Sequence, residues 1–181
     1  MRSYSQGGQD LFVHALIPRN DGTFIDIGCG EGPDLSNTFG LEELGWRGTC
    51  VDVIPPVGRL STVIAGDATK MIWHTSGRVD YLSLDIDNHS VFALQRLPLH
   101  RLSFNVITIE HDAYRFGDVL RVPERQILSD AGYVLLCKDV SNMGQPWEDW
   151  WVHPDIKESA ARFQSDRMDW RQILKQGGVE L

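Results

Sequence analysis

Thr23-Phe24-Ile25-Asp26-Ile27-Gly28-Cys29-Gly30-Glu31-Gly32 is an apolar run that meets a glycine-rich turn. A run of this length and composition predicts a strand buried on both faces, the kind a parallel sheet places at its centre. Glycines at alternate positions predict an exit loop whose backbone passes close under a ligand, with N–H groups turned toward it from the start of the next helix. Apolar spacing over 35–44 predicts that helix, stopped by Gly45. Gly48-Thr49-Cys50-Val51-Asp52-Val53 then reads as a second strand ending in an acid. Strand, helix, strand is a βαβ unit.

The same alternation extends outward from this unit. Upstream, Leu11, Phe12, Ala15 and Leu16 form one apolar face and predict a helix over 6–16, ended by Pro18. Downstream, β-like runs fall at 61–67, 79–85, 104–110 and 132–137, with helices predicted over 89–97 and 117–131. The fold class is therefore α/β, an open and mostly parallel sheet with helices on both faces, Rossmann-like in outline. Residues 145–152 read as a last strand or an irregular edge. After them Ile156, Ala160, Phe163, Trp170, Ile173 and Leu174 recur at helical spacing, in one or two helices closed by Gly177-Gly178. A single domain is expected, with a core over about 3–153 and a helical tail over 154–181 that docks on its own sheet or pairs with a second copy as a homodimer.

Composition narrows the partners. Seventeen Lys and Arg oppose 25 Asp and Glu, a formal charge of −8, and residues 154–181 hold five of each sign, so the deficit lies in the main domain. Counterion release needs a basic footprint, so no nucleic-acid partner is expected. No stretch of about 18 apolar residues occurs, which predicts no membrane partner. Cys29, Cys50 and Cys137 are odd in number, widely spaced and flanked by apolar residues or Gly. They read as buried free thiols in a reducing compartment, and a cytoplasmic location is expected.

In open α/β sheets ligands sit beyond the carboxyl ends of the strands, and four of those ends here are acidic: Asp52, Asp67, Asp85 and Glu110. A dinucleotide site asks for G-x-G-x-x-G, but position 33 is Pro, which disfavours NAD. The stretch from Asp26 to Gly32 instead resembles motif I of the class I S-adenosylmethionine-dependent methyltransferases. Asp52 follows Gly32 by twenty residues, a place from which a carboxylate can accept from both ribose hydroxyls. Gly66-Asp67-Ala68 stands where the family commonly uses an acid for the adenine amino group, although an Asp at a strand end also serves as a simple cap. The cofactor-binding set implied is Asp26, Gly28, Cys29, Gly30, Gly32, Asp52, Val53, Asp67, Ala68 and Asp85, with Cys29 as a small filler beneath the cofactor.

A closer resemblance rests on Ser5-Gln6-Gly7-Gly8-Gln9-Asp10, Gly22 to Gly28, Leu35-Ser36-Asn37-Thr38, Gly45-Trp46-Arg47-Gly48, Asp80 to Asp87, Ile109-Glu110-His111 and Glu148 to Pro154. As a set, over about residues 3–155, these segments resemble the FkbM-type methyltransferases. The resemblance implies methyl transfer from S-adenosylmethionine to a hydroxyl of a sugar, glycan or secondary metabolite. Cys29-Gly30-Glu31-Gly32 and Asp52-Val53 depart from the family's usual Ala-Asn-Asp-Gly and Glu-Pro, and the shorter Asp reaches less far.

Methyl transfer to oxygen needs an aligned acceptor and a base for its proton. Neighbouring parallel strands would bring Asp85, Asp87, Glu110 and His111 together as the catalytic cluster, with His111 the base because imidazole titrates nearest neutrality. The acids would repel one another unless the sulfonium, a proton or a divalent cation relieves them. Mg²⁺ or Mn²⁺ held by Asp85, Asp87 and Glu110 is one reading, and direct contact with cofactor and acceptor is the other. Trp147, Trp150 and Trp151 either build a buried edge or wall a pocket. A noncatalytic binding or assembly protein on a methyltransferase-like fold is the competing class.

Overall fold

The computed structural model describes residues 1–181. Eight strands form one sheet: β1 (Thr23–Ile27), β2 (Arg47–Asp52), β3 (Thr62–Ala65), β4 (Gly77–Leu84), β5 (Leu102–Glu110), β6 (Val134–Asn142), β7 (Gln145–Val152) and β8 (Ser165–Asp166). Their spatial order is β3-β2-β1-β4-β5-β7-β6-β8. The first five are parallel, and β7 runs antiparallel between β5 and β6. The expected mostly parallel, Rossmann-like α/β fold is therefore present.

Alternation along the strands divides the core into two layers. Phe24, Tyr81, Val106 and Trp150 join the layer under α1 (Gln9–Leu16), α2 (Phe39–Glu43) and α7 (Trp170–Gln176). Their chain neighbours Ile25, Leu82, Ile107 and Trp151 join the opposite layer, under α3 (Ser90–Arg96) and α5 (Asp118–Asp130). Trp147, Trp150 and Trp151 are all buried, and Trp150 stacks on Phe12 at 4.3 Å between ring centroids. The buried-edge reading of the tryptophans fits this placement. In the tail, α6 (Lys157–Ala160) and α7 contribute Ala160, Ile173 and Leu174 to the first layer, so the apolar stripe of the tail covers its own sheet. No helix is long and apolar enough to cross a membrane. All three cysteines are free and buried.

Two expectations need correction. The run at 132–137 continues to Asn142 and returns as β7 through a two-residue turn at Met143 and Gly144, with φ of 53° and 81°. Positive φ at both central residues matches the twist of a hairpin, and it makes this edge a hairpin where the pattern suggested separate pieces. The helix predicted over 35–44 begins only at Phe39. Before it, Leu35 adopts φ 65° and bridges to Ser5, and the Ser36 hydroxyl accepts from the Phe39 N–H at 3.1 Å. The glycine loop thus leads into an extended connection, and its N–H groups do not belong to a helix start.

Candidate functional site

Register levels the strand ends. Ile27 pairs with Val51 and with Leu84, Asp52 pairs with Ala65, and Leu84 pairs with Ile109. One residue further along each chain stand Gly28, Gly66, Asp85 and Glu110, so the acids expected from the sequence meet along one edge. Strand order reverses between β1 and β4, the place where open sheets leave a crevice. A cavity of about 370 Å³ opens there, lined by Gly28, Val51, Asp52, Val53, Asp67, Ala68, Thr69, Asp85, Asp87 and His89, among others.

Gly28 is required by contact as well as by conformation. It sits at φ 86°, and a Cβ on it would lie 1.7 Å from the carbonyl oxygen of Asp85. Gly30, at φ 67°, has no atom within 4 Å of where its Cβ would stand. The loop therefore packs tightly on β4 at its root and borders open space at its tip, as a backbone cradle does. Asp52 holds this tip: its Oδ2 accepts the Gly30 N–H and its Oδ1 the Ile54 N–H, each at 3.0 Å. Each oxygen keeps a second lone pair for a ligand hydroxyl. Asp67 is spent differently. Its Oδ1 accepts the N–H and hydroxyl of Thr69, its Oδ2 pairs with Lys70 at 2.9 Å, and these contacts, Thr69's first, hold its carboxyl down at about 2. It caps the turn at Ala68–Lys70 while lining the cavity.

Asp26 and Cys29, read from the sequence as cofactor contacts, lie beneath the loop. Cys29 packs into the layer with Cys50. Asp26 is 1% exposed and accepts from the Thr38 hydroxyl, and burial pushes its carboxyl up to about 6. Arg59, which carried no signal in its Pro- and Gly-rich loop, reaches in with a fully buried side chain to bind Glu42 at 2.8 Å and the Thr38 hydroxyl at 2.6 Å. Asn37 donates to Ser83 at 3.1 Å. These contacts clamp the connection after the glycine loop to β1 and β4.

Where β4 and β5 end, Asp85, which lines the cavity, and Glu110 stand on adjacent strands. Burial raises both carboxyls, and the proximity of the two acids raises Glu110 further, so the pair retains a proton that ordinary carboxylates would lose. Asp87, Glu110 and Asp112 place oxygens within 4.8 Å of one another. Asp112 was missed in the sequence, although it follows Glu110-His111 directly. Arg115, on the short helix α4 (Ala113–Phe116), faces Asp87 at 3.6 Å. That guanidinium and the proton on Glu110 already relieve the repulsion, and a divalent cation would have to displace both.

His111 points the other way. It is 0% exposed, its Nδ1 accepts the Ala113 N–H at 3.1 Å, and its Nε2 faces Asp149 at 3.5 Å and Asp139 at 3.8 Å. Arg125 grips Asp149 with two hydrogen bonds and shares Asp139 with Arg121. Burial alone would raise both carboxyls, but the guanidiniums outweigh it and hold them below the usual range. The backbone N–H groups of His111 and Asp112 both donate to the Trp147 carbonyl at 2.8 Å. The ring expected to serve as base is sealed into the β5–β7 seam, where it anchors the turn that carries Glu110 and Asp112.

No family model and no curated protein matches the sequence. Solved structures do resemble the fold. Magnesium protoporphyrin IX methyltransferase (ChlM) from Synechocystis PCC 6803, with bound SAM, superposes with a TM-score of 0.55 at 15% identity, over 81% of this chain and 80% of that one. The glycopeptide N-methyltransferase MtfA, complexed with sinefungin, gives a TM-score of 0.47 at 10% identity, over 85% of this chain and 90% of that one. The first of these likenesses shows a shared Rossmann-like methyltransferase fold.

Proposed function

We propose that the chain is an S-adenosylmethionine-dependent methyltransferase of FkbM type that methylates a hydroxyl, on a sugar, a glycan or a secondary metabolite. The observation that carries this reading is the strand-end cavity. Gly28 at the root of the glycine loop, Asp52, which ties the loop at Gly30, and Asp85 all line it. The donor set suits the cofactor: Asp52 for the ribose hydroxyls, apolar Val51, Val53 and Ala68 for the base, and acids for the cationic methionine end. When bound, the cofactor supplies an electrophilic methyl group.

The chain's own residues do the rest. Asp85 lines the cavity with a carboxyl made more basic than usual by burial and by Asp87 and Asp52, so it accepts the hydroxyl proton as the oxygen attacks. Glu110, whose proton is retained by burial and by the neighbouring Asp85 charge, leaves Asp85 as the ionised member of the pair. Asp87 and Asp112 orient the acceptor. This assigns the base to Asp85 in place of His111.

The test is transfer of labelled methyl from S-adenosylmethionine to a panel of hydroxylated acceptors. Asp85→Asn should lower turnover by about 10²–10⁴-fold. Glu110→Gln, a mimic of the protonated acid, should lower it far less. A variant order in which Glu110→Gln is the more damaging would refute this division of roles.

A further inference from the structure

A second cavity, of about 290 Å³, opens on the other side of the Asp87–His89 turn. Its walls are Asn88, Val91, Phe92, Phe116, Val119 and Leu120, five of them apolar. The turn is a wall shared by the two cavities: Asp87 and His89 line the strand-end cavity, while Asn88 between them lines this one. A second bridge joins them. Arg115 faces Asp87 at 3.6 Å, and its guanidinium lies 4.8 Å from the ring centroid of Phe116.

Two of the apolar walls are open to solvent. Phe92 is 58% exposed and Val119 74%, while Leu120 at 5% forms the floor. Large apolar side chains gathered around one concavity beside a polar site are what a ligand pocket provides, since water leaves that surface favourably when a ligand covers it. Charge narrows the ligand. Across the shared wall stand Asp85, Asp87 and Asp112 against the single guanidinium of Arg115, so an anionic ligand would be repelled and a neutral or cationic one accepted.

We propose that this cavity is the subsite for the apolar body of the methyl acceptor. The acceptor is then an amphipathic, non-anionic small molecule. Its aliphatic or aromatic part lies between α3 and α5, and its hydroxyl reaches over Asn88 to the Asp85–Glu110 pair. The proposal rests on the methyltransferase reading and selects, within it, a lipid-like or aromatic metabolite over a free sugar.

The probe is N-phenyl-1-naphthylamine, a neutral fluorophore that brightens in apolar surroundings, titrated into the full chain. The account expects saturable binding at one site per chain. The double variant Phe92→Ser, Val119→Ser changes only exposed positions and should bind the probe at least about tenfold more weakly, with S-adenosylhomocysteine affinity by calorimetry unaltered. The anionic relative 8-anilinonaphthalene-1-sulfonate should bind the wild type more weakly than the neutral probe. Absence of saturable binding to the wild type, equal affinity in the double variant, or a preference for the sulfonate would each overturn the subsite. If the wild type does not bind S-adenosylhomocysteine, the methyltransferase reading falls and the acceptor assignment with it, whatever the naphthylamine titration shows.

Discussion

Two buried side chains show how environment decides what a titratable residue does. Glu124, on α5, is 1% exposed with the Ser90 hydroxyl as its partner, and burial pushes its carboxyl up to about 8. The folded chain therefore binds that proton more tightly than the unfolded chain, whose Glu titrates near about 4.3. The stability it contributes is complete below that value and is lost as pH rises through about 8. Glu124→Gln, which cannot ionise, should gain on the wild type between pH 5 and pH 9 by on the order of a few kcal/mol in urea unfolding; parallel curves would show that Glu124 titrates normally. His111 is a residue whose type was legible and whose role was not. A histidine after a strand-end acid reads as a base, yet the Asp139 and Asp149 partners that seal it come from the β6–β7 hairpin, which no local pattern ties to position 111. His111→Ala should cost about 2–4 kcal/mol of stability, from the cavity and the bare Ala113 N–H, while leaving S-adenosylhomocysteine affinity within a few-fold. A fully stable variant that had lost turnover would return the base to His111.

At the scale of elements, the sequence was most readable where one face pattern suffices. The apolar runs of β1, β2, β4 and β5 locate those strands to within two residues or so, because strands buried on both faces need nothing but apolar bulk. The glycine loop was readable for the same local reason. The connection after it was not, since its path is set by Arg59 and Asn37, whose partners Glu42, Thr38 and Ser83 are distant or uninformative in sequence. The hairpin turn was hidden because Met143 accepts a positive φ without being Asn or Gly. Two glycines separate conformation from contact. Gly144→Ala meets nothing within 4 Å and should cost only the left-handed penalty of about 1–2 kcal/mol. Gly28→Ala drives a methyl group into the Asp85 carbonyl and must part β1 from β4. Thermal denaturation should rank Gly28→Ala far below Gly144→Ala, and equal losses would mean that the loop root is not packed as described.

Over the whole molecule, the carboxyl edge of the sheet gathers acids from the ends of β2, β4 and β5 into one place, and the deficit of charge seen in the composition belongs to residues 1–153, which carry them. That edge and its acids could be named from the sequence, because parallel register brings successive strand ends level. Which acids face the cavity and which face inward could not, because that depends on loops and on partners across the sheet. Asp26 turned inward and Asp85 stayed at the cavity, though both stand beside the same glycine loop. The central claim is that this edge is a cofactor site, and titration calorimetry with S-adenosylhomocysteine tests it most directly. The wild type should bind at one site with about micromolar affinity, and Asp52→Ala should weaken that by about 2–3 kcal/mol through loss of the proposed ribose acceptor and of the tie to Gly30. No measurable binding by the wild type, or equal affinity in Asp52→Ala, would contradict the account.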